Sequence, residues 1–194
     1  MTVAQLLAAL ASPEPTPGGG TAAAIAGAMG TSLLVMVSGL AKSRNNLDDE
    51  KAALETARAA LEPISSKLMQ LADADTEAFN QVMAAYRLPK ATDQDKAART
   101  SAIQVALRGA TEVPLETLRA CADALEHGRV VEQYGNQSAA SDVGVAIGLL
   151  KAAAEGAAAN VEINLTGLKD EAFKRAAAAE MTKLLAADAG KNLR

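Results

Sequence analysis

The chain has 194 residues, 49% of them hydrophobic but only 2% aromatic, and a net charge of −4. That length suits one sizeable domain, and no flexible linker divides it. Mild acidity, the lack of a basic run and the scarcity of aromatic rings for base stacking argue against a nucleic-acid partner.

A single Cys, Cys121, allows no intrachain disulfide and fits a reducing, cytoplasmic compartment. With His127 as the one His, no zinc or transition-metal ligand set of the usual type is expected. Ala, the strongest helix former, supplies much of the apolar count, and period-two runs of Val, Ile and Thr are absent. The expected fold is all-α, a multihelical assembly of long, Pro-kinked helices around a buried Ala/Gly-rich helix. It is read as one domain over residues 1–194.

In chain order, residues 3–10 read as a short amphipathic helix ending near Ser12-Pro13. The loop Thr16-Pro17-Gly18-Gly19-Gly20-Thr21 then opens a helix over about 20–41, in which Ala22, Ala26, Gly27 and Gly30 permit close backbone approach. Pro15 to Ala41 carries no charge and is long enough to cross a bilayer. Its Gly, Ala, Ser and Thr content, and the lack of a preceding cation, read instead as a buried helix.

Asn46 or Asp48 is expected to cap a helix running to about Arg87, with Pro63 kinking or interrupting it. Thr92-Asp-Gln-Asp starts another, divided by Pro114 and stopped by Gly128, which leaves His127 near a helix end facing the dipole. A helix of about 139–165 and a final amphipathic one of 170–188 complete the pattern.

Three anomalies mark candidate sites. In the helix after Gly135, Lys151, Glu155 and Glu162 fall within about 40° of one another and form the solvent stripe. Asp142 and Asn160 each lie nine residues from Lys151, half a turn away, so with Asn164 they face inward among Ala, Gly, Val and Leu. Buried polar groups of this kind line a site or pin a helical register. Asp75 stands on the apolar stripe Leu61, Ile64, Leu68, Leu71, Phe79, Val82, Tyr86, whereas Asp73 points about 160° away, toward water. An acid on an apolar face is a candidate proton donor or acceptor, because burial penalises its charged form. The glycine loop is the third anomaly. Its N–H groups and the following helix N-terminus suit a carboxylate, phosphate or carbonyl oxygen, although it lacks the Lys of a P-loop.

Taken in order, Pro15-Thr-Pro-Gly-Gly-Gly-Thr-Ala-Ala-Ala, Asp73-Ala-Asp-Thr-Glu-Ala-Phe79, Leu88-Pro-Lys90, Val113-Pro-Leu115, Gly135-Asn136, Ser141-Asp142, Gly156-Ala157, Asn160-Val-Glu-Ile-Asn-Leu165 and Asp170-Glu-Ala-Phe173 carry a resemblance. The chain resembles the formimidoyltetrahydrofolate cyclodeaminase and methenyltetrahydrofolate cyclohydrolase family over nearly its whole length. The resemblance implies a multihelical fold, a homodimer, a reduced folate substrate, no metal or redox cofactor and no membrane. It implies Asp75 as general acid/base, with Asp142 orienting the substrate or assisting proton transfer. Gly18, Gly19, Gly20 and Thr21 are expected to bind substrate, together with Lys90, Asn136 and Ser141. Asn160 and Asn164 join them. A straight helix puts Asp142 and Asn160 about 27 Å apart, so both cannot serve one atom within a subunit. The Asp142 end is assigned to chemistry and the Asn160 end to structure or to a subunit contact.

Two departures stand out. Arg44-Asn45 replaces two adjacent basic residues, which weakens the expected grip on an anionic folate tail, and Ser138 stands where some relatives have Asn. Cyclodeamination and cyclohydrolysis share their proton chemistry, so the residues leave both open. The alternative is a non-catalytic helical module that binds folate or a protein.

Overall fold

The structure, a computed structural model, describes residues 2–189, with side chains as far as residue 186. It contains six α-helices: α1 (Val3–Leu10), α2 (Gly19–Ser38), α3 (Asp48–Tyr86), α4 (Asp93–Tyr134), α5 (Ala140–Leu165) and α6 (Glu171–Ala189). A 3-10 turn, Gln137–Ala139, precedes α5, and no strand occurs among the described residues. The chain is all-α, as its composition predicts.

Local chemistry explains most boundaries. Thr92 caps α4: its hydroxyl accepts from Asp95 N at 3.1 Å, and the Asp95 carboxylate accepts from Thr92 N at 2.9 Å. Thr2 and Gln5 pair in the same way at the start of α1. At α3 the expected caps are wrong. Asn46 takes a left-handed φ of 59°, Leu47 occupies the cap position, and Glu50 satisfies the entry from inside the helix.

Glu50 is buried at 4% exposure. Its carboxylate accepts from Ser43 Oγ (2.7 Å), Asn45 N (2.9 Å) and Asn45 Nδ2 (2.6 Å), fastening the loop between α2 and α3. The Ser43 bond first, and those from Asn45 and Leu47, outweigh burial and hold its carboxyl at a pKa of about 2. A depressed carboxylate stabilises the fold fully above its ordinary value, and that stabilisation fades as pH falls toward about 2. The urea midpoint should therefore drop between pH 5 and pH 2.5 more steeply in the wild type than in Glu50→Gln; equal slopes would refute this role. Glu116 and Glu180, both also lowered by hydrogen bonds, titrate alike in the two proteins and cancel from the comparison.

The expected interruptions at Pro63, Pro114 and Gly128 do not occur. Both prolines lie inside continuous helices, and α4 passes through His127 and Gly128 to Tyr134. An interior Pro costs about 3 kcal/mol, which long packed helices can absorb. Pro114 is itself buried. Gly128 serves contact: a Cβ there would lie 3.1 Å from Leu34 Cδ1.

Helix α2 packs against α3, α4 and α5. Small residues set these approaches, since a Cβ on Gly30 would stand 2.7 Å from Ala146 O, and one on Gly27 would stand 2.9 Å from Cys121 Sγ. Burial pushes the Cys121 thiol up to about 12, so it acts as a core residue. Helix α2 is long and apolar enough to cross a bilayer, but about half of it is enclosed by its neighbours. Its remaining face is open: Met29 is 56% exposed and Met36 43%. Helix α6 is tied to α4 by Arg119, which donates from Nε and Nη2 to Glu180 at 2.6 Å each.

Candidate active site

Helices α2 and α5 run antiparallel, and so do α2 and α3. Gly30 meets Ala146 and Leu150, Gly19 faces Asn160, Gly27 meets Leu68 and Gly39 meets Arg58. The N-terminal turn of α2 is thereby placed between residue 75 of α3 and residue 160 of α5.

There the Asp75 carboxylate lies flat against Gly20. An ideal Cβ on Gly20 would fall 2.2 Å from Asp75 Oδ1, so only glycine leaves room for it. Thr21 Oγ1 donates to Asp75 Oδ2 at 2.9 Å and lies 3.3 Å from Thr76 Oγ1. Thr21 is buried while Asp75 and Thr76 are half-buried, so the carboxylate keeps access from outside. Gly18 caps α2 with its carbonyl accepting from Ala22 N at 3.0 Å, and no side chain caps the helix. The positive end of α2 thus opens beside the carboxylate.

Asn160 completes the cluster. Its Nδ2 would lie 3.8 Å from a Cβ on Gly19 and donates to Gly156 O at 2.8 Å. Next to the cluster, a cavity of about 480 Å³ lies beneath α1, walled by Leu6, Ile25, Met69, Asp73, Thr21 and Thr76 among others. That size is in the usual range for small-molecule pockets.

The other expected residues fall elsewhere within one protomer. Asp142 and Ser141 begin α5, about 27 Å along the helix from Asn160 and hence remote from Asp75. The expected grouping of Asp142 with Asp75 in one subunit is corrected: the antiparallel pairing brings the Asn160 end of α5 to Asp75. Asn136 caps the 3-10 turn, its Oδ1 accepting from Ser138 N at 2.9 Å. Asn164 Nδ2 donates to Ala110 O at 2.7 Å and ties α5 to α4. Lys90 is exposed beyond the end of α3, itself about 16 Å past Asp75. Arg44 and Asn45 lie past the far end of α2, where Asn45 serves the Glu50 knot. Thr76 escaped the sequence reading, although it adjoins Asp75. Asp73 is exposed as expected, yet it lines the cavity.

Among the described residues, no group of three His, Cys, Asp or Glu side chains is arranged to hold a metal ion. What the site offers is one oriented carboxylate flanked by hydroxyls, an amide and a helix N-terminus. Fold and cluster together define a class: an all-helical protein with a half-buried carboxylate beside a cavity of small-molecule size. Comparison with known proteins narrows it. A family profile described as formiminotransferase-cyclodeaminase matches residues 2–183, and the chain belongs to that family.

The chain is 42% identical to a methenyltetrahydrofolate cyclohydrolase of Methylorubrum extorquens, over 95% of this chain and 89% of that protein. It is 36% identical to formimidoyltransferase-cyclodeaminase of Sus scrofa over 87% of its length, but spans only 31% of that larger protein. The crystal structure of a formiminotetrahydrofolate cyclodeaminase from Thermotoga maritima matches with a TM-score of 0.86 and 29% identity, covering 98% of this chain and 91% of that one.

Proposed function

We propose that this protein is a folate one-carbon enzyme acting on the carbon held at N5 and N10 of tetrahydrofolate. It either cyclodeaminates 5-formimidoyltetrahydrofolate to 5,10-methenyltetrahydrofolate and ammonia, or hydrolyses 5,10-methenyltetrahydrofolate to 10-formyltetrahydrofolate. Family membership supports the substrate class. The observation that carries the chemistry is the Asp75 carboxylate, fixed by Thr21 against Gly20 beside a ligand-sized cavity.

In cyclodeamination, N10 attacks the carbon of the protonated formimino group, an amidinium, and forms the new C–N bond. Asp75 accepts the N10 proton and returns it to the departing nitrogen, which leaves as ammonia while the methenyl bridge forms. In cyclohydrolysis, Asp75 takes a proton from water as its oxygen adds to the cationic methenyl carbon. The proton then passes to N5 as the N5–C bond breaks, and the remaining hydroxyl proton is released to solvent as the formyl C=O forms. The carboxylate also stabilises the cation in its ground and transition states. These steps need only a carboxylate and its hydrogen-bonding partners, and we assign the reaction no metal or redox cofactor.

Methenyltetrahydrofolate is chromophoric, so its appearance from formimidoyltetrahydrofolate or its loss in water reads each activity by absorbance. One of the two rates should exceed the uncatalysed reaction by orders of magnitude. If neither does, the enzyme reading fails and a binding module takes its place.

We also assign the protein a cytoplasmic location, which suits its buried thiol, and a homodimeric state. The open face of α2, with Met29 beside Met69 of α3 and Met36 exposed about two turns further along, supports the dimer. A groove of about 400 Å³ lies between Met29, Leu33 and Met69. Because α2 carries no charge, two copies meet there without repulsion. Sedimentation should give twice the chain mass of 19.8 kDa, and Met29→Asp with Met36→Asp should give monomers. A monomeric wild type at micromolar concentration would overturn the assignment.

A further inference from the structure

Thr21 is 5% exposed and owns one hydroxyl proton. When that proton goes to Asp75 Oδ2 at 2.9 Å, it is not available to Thr76 Oγ1 at 3.3 Å. In this state Thr76 is the donor of the pair. The order can also reverse. An Asp75 protonated on Oδ2 donates to Thr21 Oγ1, and Thr21 donates to Thr76. Neither state breaks a bond, because a hydroxyl accepts as readily as it donates. A Lys, an Arg or a backbone N–H in the place of Thr21 could not accept from the protonated Oδ2.

A general acid/base must keep one orientation while it gains and loses a proton. We infer that Thr21 is the positioning residue of Asp75, and that Thr76 ends a reversible hydroxyl chain which holds the carboxyl in both protonation states. This rests on the reading of Asp75 as the proton-transfer group. It moves Thr21 from the expected role of substrate ligand to that of an internal partner. Gly20, one residue earlier on the same turn, supplies the bare surface against which the chain holds Asp75.

The test compares Thr21→Val, which keeps the shape, with Thr21→Ser, which keeps the hydroxyl, on whichever reduced folate the wild type turns over. Thr21→Val should lower kcat by about 10- to 100-fold with KM within about threefold, the size expected for a slightly misplaced catalytic group. Thr21→Ser should retain at least about one third of kcat. Unchanged kcat in Thr21→Val, equal losses in both variants, or a loss confined to KM would overturn the inference. If Thr21→Val does not fold by thermal melting, Thr76→Val against Thr76→Ser reads the same chain from its outer hydroxyl. There the expected loss is about 3- to 10-fold in kcat, restored by Ser; equal losses overturn the inference. Wild-type turnover combined with an inactive Asp75→Asn separates this question from the functional reading beneath it.

Discussion

Asp75→Asn should lower kcat by about 10²- to 10⁴-fold, the usual contribution of a positioned general acid/base, and leave the thermal midpoint nearly unchanged. The amide is isosteric with the carboxyl and can still accept the Thr21 hydroxyl through its oxygen. Shape and anchoring survive while proton transfer does not. Absorbance assays of both reactions, run beside circular dichroism melts, decide the matter. A correctly folded Asp75→Asn with full turnover removes Asp75 from the chemistry.

Gly20→Ala should be almost as damaging by a different route. The added Cβ would fall 2.2 Å from Asp75 Oδ1, 2.6 Å from Cγ and 2.8 Å from Oδ2, so the carboxyl must leave its place. The side chain can swing without moving backbone, and Ala is better than Gly in a helix by about 1 kcal/mol. Stability should therefore hold or rise slightly. Turnover should fall by about 10²-fold, because a displacement of about 1 Å at a reacting group costs that much. Loss of rate with an unchanged melt would separate catalytic placement from folding. A fully active Gly20→Ala would mean that the resting position of Asp75 does not matter.

The fold was legible where local rules and packing agree. Thr92 announced α4 through its capping partner Asp95, and the Ala/Gly pattern announced the close packing of α2. Pro63, Pro114 and Gly128 do not end their helices because propensity describes an isolated helix, whereas α3 and α4 lean on neighbours that keep them continuous through the weak point.

The site was legible by face and not by height. A helical wheel correctly turned Asp75 and Asn160 away from solvent, since angle follows from spacing alone. It could not say which end of α5 reaches the first turn of α2. That depends on antiparallel pairing of helices separated by two others in the chain. Asp142 was therefore joined to Asp75, and Asn160 was set aside. Thr76 was missed because a Thr after an Asp has no signature until its hydroxyl meets another chain segment.

The contact of Gly30 with the backbone of Ala146 also bears on Asp75. Gly30 lies ten residues from Gly20, about 15 Å along the same stiff rod. A side chain added at this crossing would tilt the rod and carry its far tip away from Asp75. The spacing of two helices in the interior and the aim of the Asp75 carboxyl are thus one mechanical quantity. Exchanges that alter the thickness of this Ala-rich interior should therefore disturb Asp75 even at positions far from it.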